Sequence, residues 1–328
     1  MKRIPIIMFL LLSLLSCDDN NDASDKKINY SKDSLFVIYK DTFDYKHEGE
    51  LERVAYFENK YFCVINHSDK KLIILDEEGT YINEVKVPKA IENTSYYDLV
   101  IENDSLFLKL KGGEEENFVL VNNNTEFQPI EKRNFKIFED DEYNIYASCH
   151  GEWGGALYFQ NKKTNEKYEA ESTCAIIVNK LNNEYYVTNA LRHEGVYSNV
   201  SKISDPEKLE KSRWDFDELM QGTSWNGVEN LFLKKFLYIS TSFVVNNELF
   251  HLCKDIPIQA KNDTNSIYIA KIENDTLKPI YTFDFQFHLL FNQQIGGKKQ
   301  LLTFKETKEN KEGILLIDSN VFTFHYLR

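Results

Sequence analysis

From about residue 53 to the C-terminus the chain repeats one phrase: a short β-rich run, a tight turn carrying Asn, Asp or Gly, then a second run reading aromatic–x–apolar. The first copy, Arg53 to Val87, is "RVAYFENKYFCVINHSDKKLIILDEEGTYINEVKV". Three runs with turns at Asn59-Lys60 and Glu78-Gly79 lead there into a fourth. Later copies begin near 97, 135, 174, 237 and 285, roughly 40–60 residues apart. Composition agrees with strands throughout. Aromatic residues are 14% of the chain and suit half-buried pleated surfaces, and only 6 prolines interrupt possible ladders.

Four short strands per unit at this period match the blades of a propeller. The first copy's succession of an Asn turn, apolar triplets and "DEEG" resembles the units of six-bladed β-propellers. The resemblance extends over most of the chain and implies one all-β domain, 34–328, of six four-stranded blades. A seventh blade stays open, because Leu35 to Phe43, "LFVIYKDTF", is a candidate strand for closing the ring. The segment 205–221, "DPEKLEKSRWDFDELMQ", breaks the pattern. Asp205 can cap a helix with Pro206 at its first position, so a short helical insertion is expected, with an irregular outer strand as the alternative.

The N-terminus reads "MKRIPIIMFLLLSLLSCDDNND". Lys2 and Arg3 precede an apolar stretch, Ile4 to Leu15, that is too short for a permanent span, so residues 1–16 read as a signal peptide. Leu14-Leu15-Ser16-Cys17 resembles the lipobox of bacterial lipoproteins. That resemblance implies acylation of the Cys17 thiol and cleavage before it; the alternative is an ordinary secretory signal. Several acyl chains give stable anchoring, at about 0.8 kcal/mol per buried methylene. Residues 17–33 are polar and read as a flexible tether. The acidic residues after Cys17 resemble export signals of some Bacteroidota lipoproteins, which leaves the periplasmic side and the cell surface both open. A bacterial cell-envelope location with membrane contact through Cys17 is therefore expected. The net charge of −13 argues against nucleic acid as a partner, since phosphates need a basic footprint.

If each blade's strands run outward from the axis, the turns between second and third strands all emerge on one face. In this register those turns carry His67, then Lys111, then His150, Glu152 and Trp153, then His193 and Glu194. They form a candidate binding face, because ligands are commonly met by loops on a rigid scaffold. Histidine with carboxylate is a reasonable set for Zn²⁺ or another divalent metal, or for acid–base work; solvated turn residues are the bland alternative. No cofactor is otherwise expected. Trp153 beside Gly154-Gly155 offers a platform for a sugar ring or aliphatic chain, or else packs between blades.

Cys149 ends a second strand and Cys174 begins the next unit, so the two form a candidate disulfide in an exported protein. Cys63 and Cys253 sit inside apolar strands and read as buried thiols. P-loop, dinucleotide-binding, zincin and nucleophile-elbow motifs are all absent. The expected function is a non-enzymatic binding or envelope-assembly module with an envelope protein, peptide or glycan as ligand. The alternative is a propeller hydrolase or lyase using the His/Glu face.

Overall fold

The computed structural model describes residues 28–29, 35–45, 48–111, 116–121, 123, 125–191, 196–212, 224–256, 266–289 and 299–328. Six antiparallel sheets follow one another in the chain and form a propeller ring. Their first strands are Glu50–Phe57, Tyr97–Glu102, Lys136–Glu139, Ala175–Leu181, Leu237–Val245 and Phe287–Leu289. Each lies within three residues of a start read from the repeat.

Two-residue turns explain why the hairpins close so regularly. Both central residues have positive φ at Glu58-Asn59, Asn103-Asp104, Asn182-Asn183 and Asn246-Asn247. These are the first-to-second turns of blades 1, 2, 4 and 5, and this geometry matches the strands' right-handed twist. Asparagine tolerates the left-handed region because its short amide hydrogen-bonds locally. In blade 1 the turn sits one residue earlier than the sequence reading placed it.

Apolar side chains on alternate positions fill the wedges between blades. Each of the six wedges holds its own apolar cluster. The wedge between blades 5 and 6 is the richest, with Phe243, Phe250, Phe304 and Phe324 among its members. The wedge between blades 2 and 3 has only Val100, Phe107 and Phe135 fully inside. There Arg133 adds an ion pair to buried Glu102 and lies over the Phe107 and Phe135 rings.

The Leu35–Phe43 segment closes the ring without forming a seventh blade. Its strand, Val37–Thr42, adds in parallel to Val321–Tyr326, the outermost strand of blade 6. Ile28–Asn29, inside the segment read as a tether, pairs in turn with Ile38 and Tyr39. Asp205 does cap, accepting from the Glu207 N–H with Pro206 next to it. The result is a short 3₁₀ turn, Pro206–Lys208, in the described part of the expected insertion. Glu210–Lys211 then pairs onto the outer edge of blade 3. Residues 213–221 of that insertion lie outside the described residues, as do the signal segment 1–16 and Cys17. Among the described residues no helix is long and apolar enough to cross a membrane.

Asp140 pins blade 3 to blade 4 on the face of the first-to-second turns. Its Oδ1 accepts from the N–H groups of Glu142 and Tyr143, and its Oδ2 from Lys180 Nζ (2.7 Å) and the Tyr185 hydroxyl (2.6 Å). Burial pushes the carboxyl up, but these donors outweigh it and hold its pKa at about 2, below the usual 3.8. Because the folded value is depressed, the stabilisation is complete above the unfolded pKa and is lost as pH falls from 3.8 towards 2. Asp140→Asn is expected to cost about 1–2 kcal/mol at neutral pH, allowing for solvent screening. Urea titrations should show that deficit shrinking as the acid limb is descended.

Candidate functional site

An antiparallel four-strand meander puts its second-to-third turn on the same face as the connection to the next blade. The opposite face receives the other two turns. The structure thus places His67, Lys111 and the 148–155 turn on one face, as the register required. His193, Glu194, Gly112 and Gly113 lie outside the described residues, and so does the side chain of Glu152.

The 148–155 turn is built from its backbone outward. Buried Ser148 donates its N–H to Ala156 O (2.9 Å), and its hydroxyl accepts from the Ala156 N–H (3.0 Å). The His150 N–H reaches Gly154 O (2.8 Å), closing the 3₁₀ turn Gly151–Trp153. The two adjacent glycines have separate jobs. Gly154 takes φ +89, which only glycine adopts freely. Gly155 has an ordinary φ but lies so close to the carbonyls of Ser148 and Ser172 that a Cβ would overlap both.

Cys149 and Cys174 are joined by a disulfide that ties this turn to the entry of blade 4. On the inner side, the Ser172 N–H donates to Gly155 O and its hydroxyl to buried Asn189. The turn is therefore held by a covalent bridge, its own hydrogen bonds and the neighbouring blade. Trp153 projects from it 76% exposed, so it does not pack between blades. His150 is exposed beside it, and the two free cysteines, Cys63 and Cys253, are buried.

Two further aromatics stand on this face that the repeat pattern did not single out. Tyr96 is 72% and Phe236 41% exposed, each immediately before the first strand of a blade. The usable signal was an aromatic directly ahead of a strand start, in "SYY" and "KFL". Lys111 fixes the Tyr96 segment: its N–H donates to Tyr96 O (2.8 Å), and its ammonium pairs with Asp98 (2.8 Å). Nearby, Lys70 reaches Glu52 (2.7 Å) and Thr94 O, while the Tyr97 hydroxyl donates to Glu52. Burial, and then the Glu52 hydrogen bond, push the Tyr97 phenol well above its ordinary range. This cluster braces blade 1 against blade 2.

The metal expectation requires several ligands to converge. The ring Nδ1 of exposed His67 lies 3.3 Å from Ser68 Oγ, and His67 and His150 belong to blades with one blade between them. Among the described residues no group of three or more His, Cys, Asp or Glu side chains is gathered around one point.

A serine–histidine contact does occur elsewhere. Ser242 Oγ lies 2.7 Å from His251 Nδ1 and 2.6 Å from Thr188 Oγ1. All three are buried between blades 4 and 5. Burial pushes the His251 pKa down to about 3, so the ring is neutral at ordinary pH. At this depth the contact joins blades 4 and 5 as a polar rivet.

No protein-family model matches the chain, and no curated protein matches it in sequence. Among solved structures it is similar to puromycin hydrolase, at 7% identity and a TM-score of 0.36, over 83% of this chain and 52% of that one. The chain thus spans about half the length of that enzyme. It is also similar to the β-propeller domain of the Trilobed protease from Pyrococcus furiosus, at 12% identity and a TM-score of 0.35, covering 82% and 96% of the two chains. A third likeness is to an exo-β-1,3-galactanase from Phanerochaete chrysosporium, at 6% identity and a TM-score of 0.33, covering 84% and 78%. Likeness at this level carries no substrate or activity across.

Proposed function

We propose that this chain is an exported, lipid-anchored β-propeller that binds an envelope glycan or peptide on the face carrying Trp153, without transforming it. The observation behind the reading is a large indole left 76% exposed on a turn held rigid by a disulfide and a hydrogen-bonded glycine pair. A fixed aromatic plate loses little entropy when a ring or chain stacks on it. Tyr96 and Phe236 are further exposed aromatics on the same face. Anchoring through Cys17 rests on the lipobox-like "LLSC" and would present this face to polymers of the envelope.

Binding of the purified chain to envelope polysaccharides and peptide fragments tests the reading. The Trp153→Ala variant should bind at least about tenfold more weakly, in line with the loss of an aromatic anchor, with an unchanged melting curve. A variant that binds as tightly as the parent would refute it.

A further inference from the structure

The outermost strand of a blade presents a row of unpaired N–H and C=O groups, and such an edge recruits other chains unless something blocks it. Four of the six perimeter edges of this ring carry an added strand or a proline among the described residues. Blade 3 is covered by Glu210–Lys211, and blade 6 by Val37–Thr42. The edge strands of blades 2 and 5 contain Pro129 and Pro279, which cannot donate to a ladder. The edge strand of blade 1, Tyr81–Lys86, has neither, but its charges are paired locally, Glu84 with Lys71 and Lys86 with Glu92.

Blade 4 differs in leaving its lysines unpaired. Its edge strand, Glu229–Lys235, has no proline and, among the described residues, no strand added to it. Leu233 is 61% exposed there, and exposed Lys234 and Lys235 have no ion-pair partner among the described residues. Phe236, 41% exposed, continues the strand at φ +60, a conformation that aromatic residues rarely hold.

We infer that the edge of blade 4 is a docking strand for an extended acidic polypeptide segment. Lysines opposite lysines disfavour a second copy of the same edge, whereas carboxylates opposite them are favoured. Lys234 and Lys235 are consecutive, so they project from opposite faces of the sheet. An added strand must therefore carry two consecutive acidic residues, with an apolar residue next to them against Leu233. Main-chain hydrogen bonds supply affinity, and the Lys-Lys-Leu pattern supplies selection. This edge lies on the perimeter of blade 4, whereas Trp153 belongs to blade 3.

The probe is a terminally blocked peptide with Glu-Glu-Leu at its centre and threonine–valine flanks, with a Lys-Lys-Leu counterpart as control. Calorimetry and amide hydrogen exchange on the full chain supply the readout. The acidic peptide should bind saturably and slow exchange within Glu229–Lys235. The charge-reversed K234E/K235E variant should bind it about tenfold or more weakly and prefer the basic peptide. Both lysines are exposed, so the variant should melt like the parent. Equal affinity in the variant, protection on a different edge, or no saturable binding to the parent chain at about 1 mM peptide would each overturn the inference.

Discussion

Replacing Phe43 with alanine is expected to destabilise the ring by about 3–5 kcal/mol, the range for emptying a fully buried aromatic position. Phe43 directly follows the N-terminal strand Val37–Thr42 and is 0% exposed. Its ring stacks on His325 of the last strand (centroids 4.3 Å apart) and meets Tyr61 of blade 1 at 5.0 Å. The Tyr61 hydroxyl and His325 Nε2 lie 3.1 Å apart, so three segments distant in sequence converge on one side chain. The chain even excludes a Cβ beside it, since Gly79, at φ +83, would strike the Phe43 ring if substituted. Urea unfolding of Phe43→Ala should show the large loss, and Phe43→Leu should lose less, because it keeps much of the volume. A loss below about 1 kcal/mol for the alanine variant would mean that ring closure does not rest on this strand.

The second large effect belongs to the Cys149–Cys174 bridge. It closes a loop with a sequence separation of 25, for which chain entropy gives roughly 3 kcal/mol of stabilisation. The Cys149→Ala/Cys174→Ala variant should therefore unfold at clearly lower urea than the parent. Adding reductant to the parent should move it to the same midpoint, while leaving the variant where it is. Buried Cys63 and Cys253 should resist alkylation in the folded protein under both conditions. The functional consequence follows from geometry. Without the bridge the turn keeps its hydrogen bonds but loses its tie to blade 4, so binding that depends on Trp153 should weaken further than stability alone explains.

Much of this architecture was legible because a propeller writes each blade as a local sentence. Strand starts near 97, 174 and 237 could be read from alternation and Asn-rich turns, since both signals depend on residues only a few positions apart. The role of Leu35–Phe43 was half visible. Its β character is local, but its parallel pairing with Val321–Tyr326 joins opposite ends of the chain and leaves no sequence signature. Asp205-Pro206 marked the cap, because capping is a local signal, and the described part of the insertion holds a single 3₁₀ turn after it.

The candidate face shows the same division. The turn carrying His150 and Trp153 was placed by counting strands, and Gly154-Gly155 marked a special backbone. That Gly155 answers a close approach by the Ser172 carbonyl, not a positive φ, depends on a blade-to-blade contact that the local sequence does not encode. Exposure of Trp153 was equally illegible, because a tryptophan in a turn points inward or outward according to the neighbouring blade. Tyr96 and Phe236 escaped notice because they lie on connections between repeats, where the pattern that aligned the blades has no fixed position.

Tryptophan fluorescence tests most directly whether ligand meets protein at Trp153. The chain has 3 tryptophans, so replacing Trp214 and Trp225 with phenylalanine leaves Trp153 as the sole indole reporter. Titration with an envelope polymer that the parent chain binds should shift its emission to shorter wavelength and saturate at the ligand concentration that saturates binding. Saturable binding with an unchanged emission spectrum would place the ligand elsewhere on the ring and contradict the account.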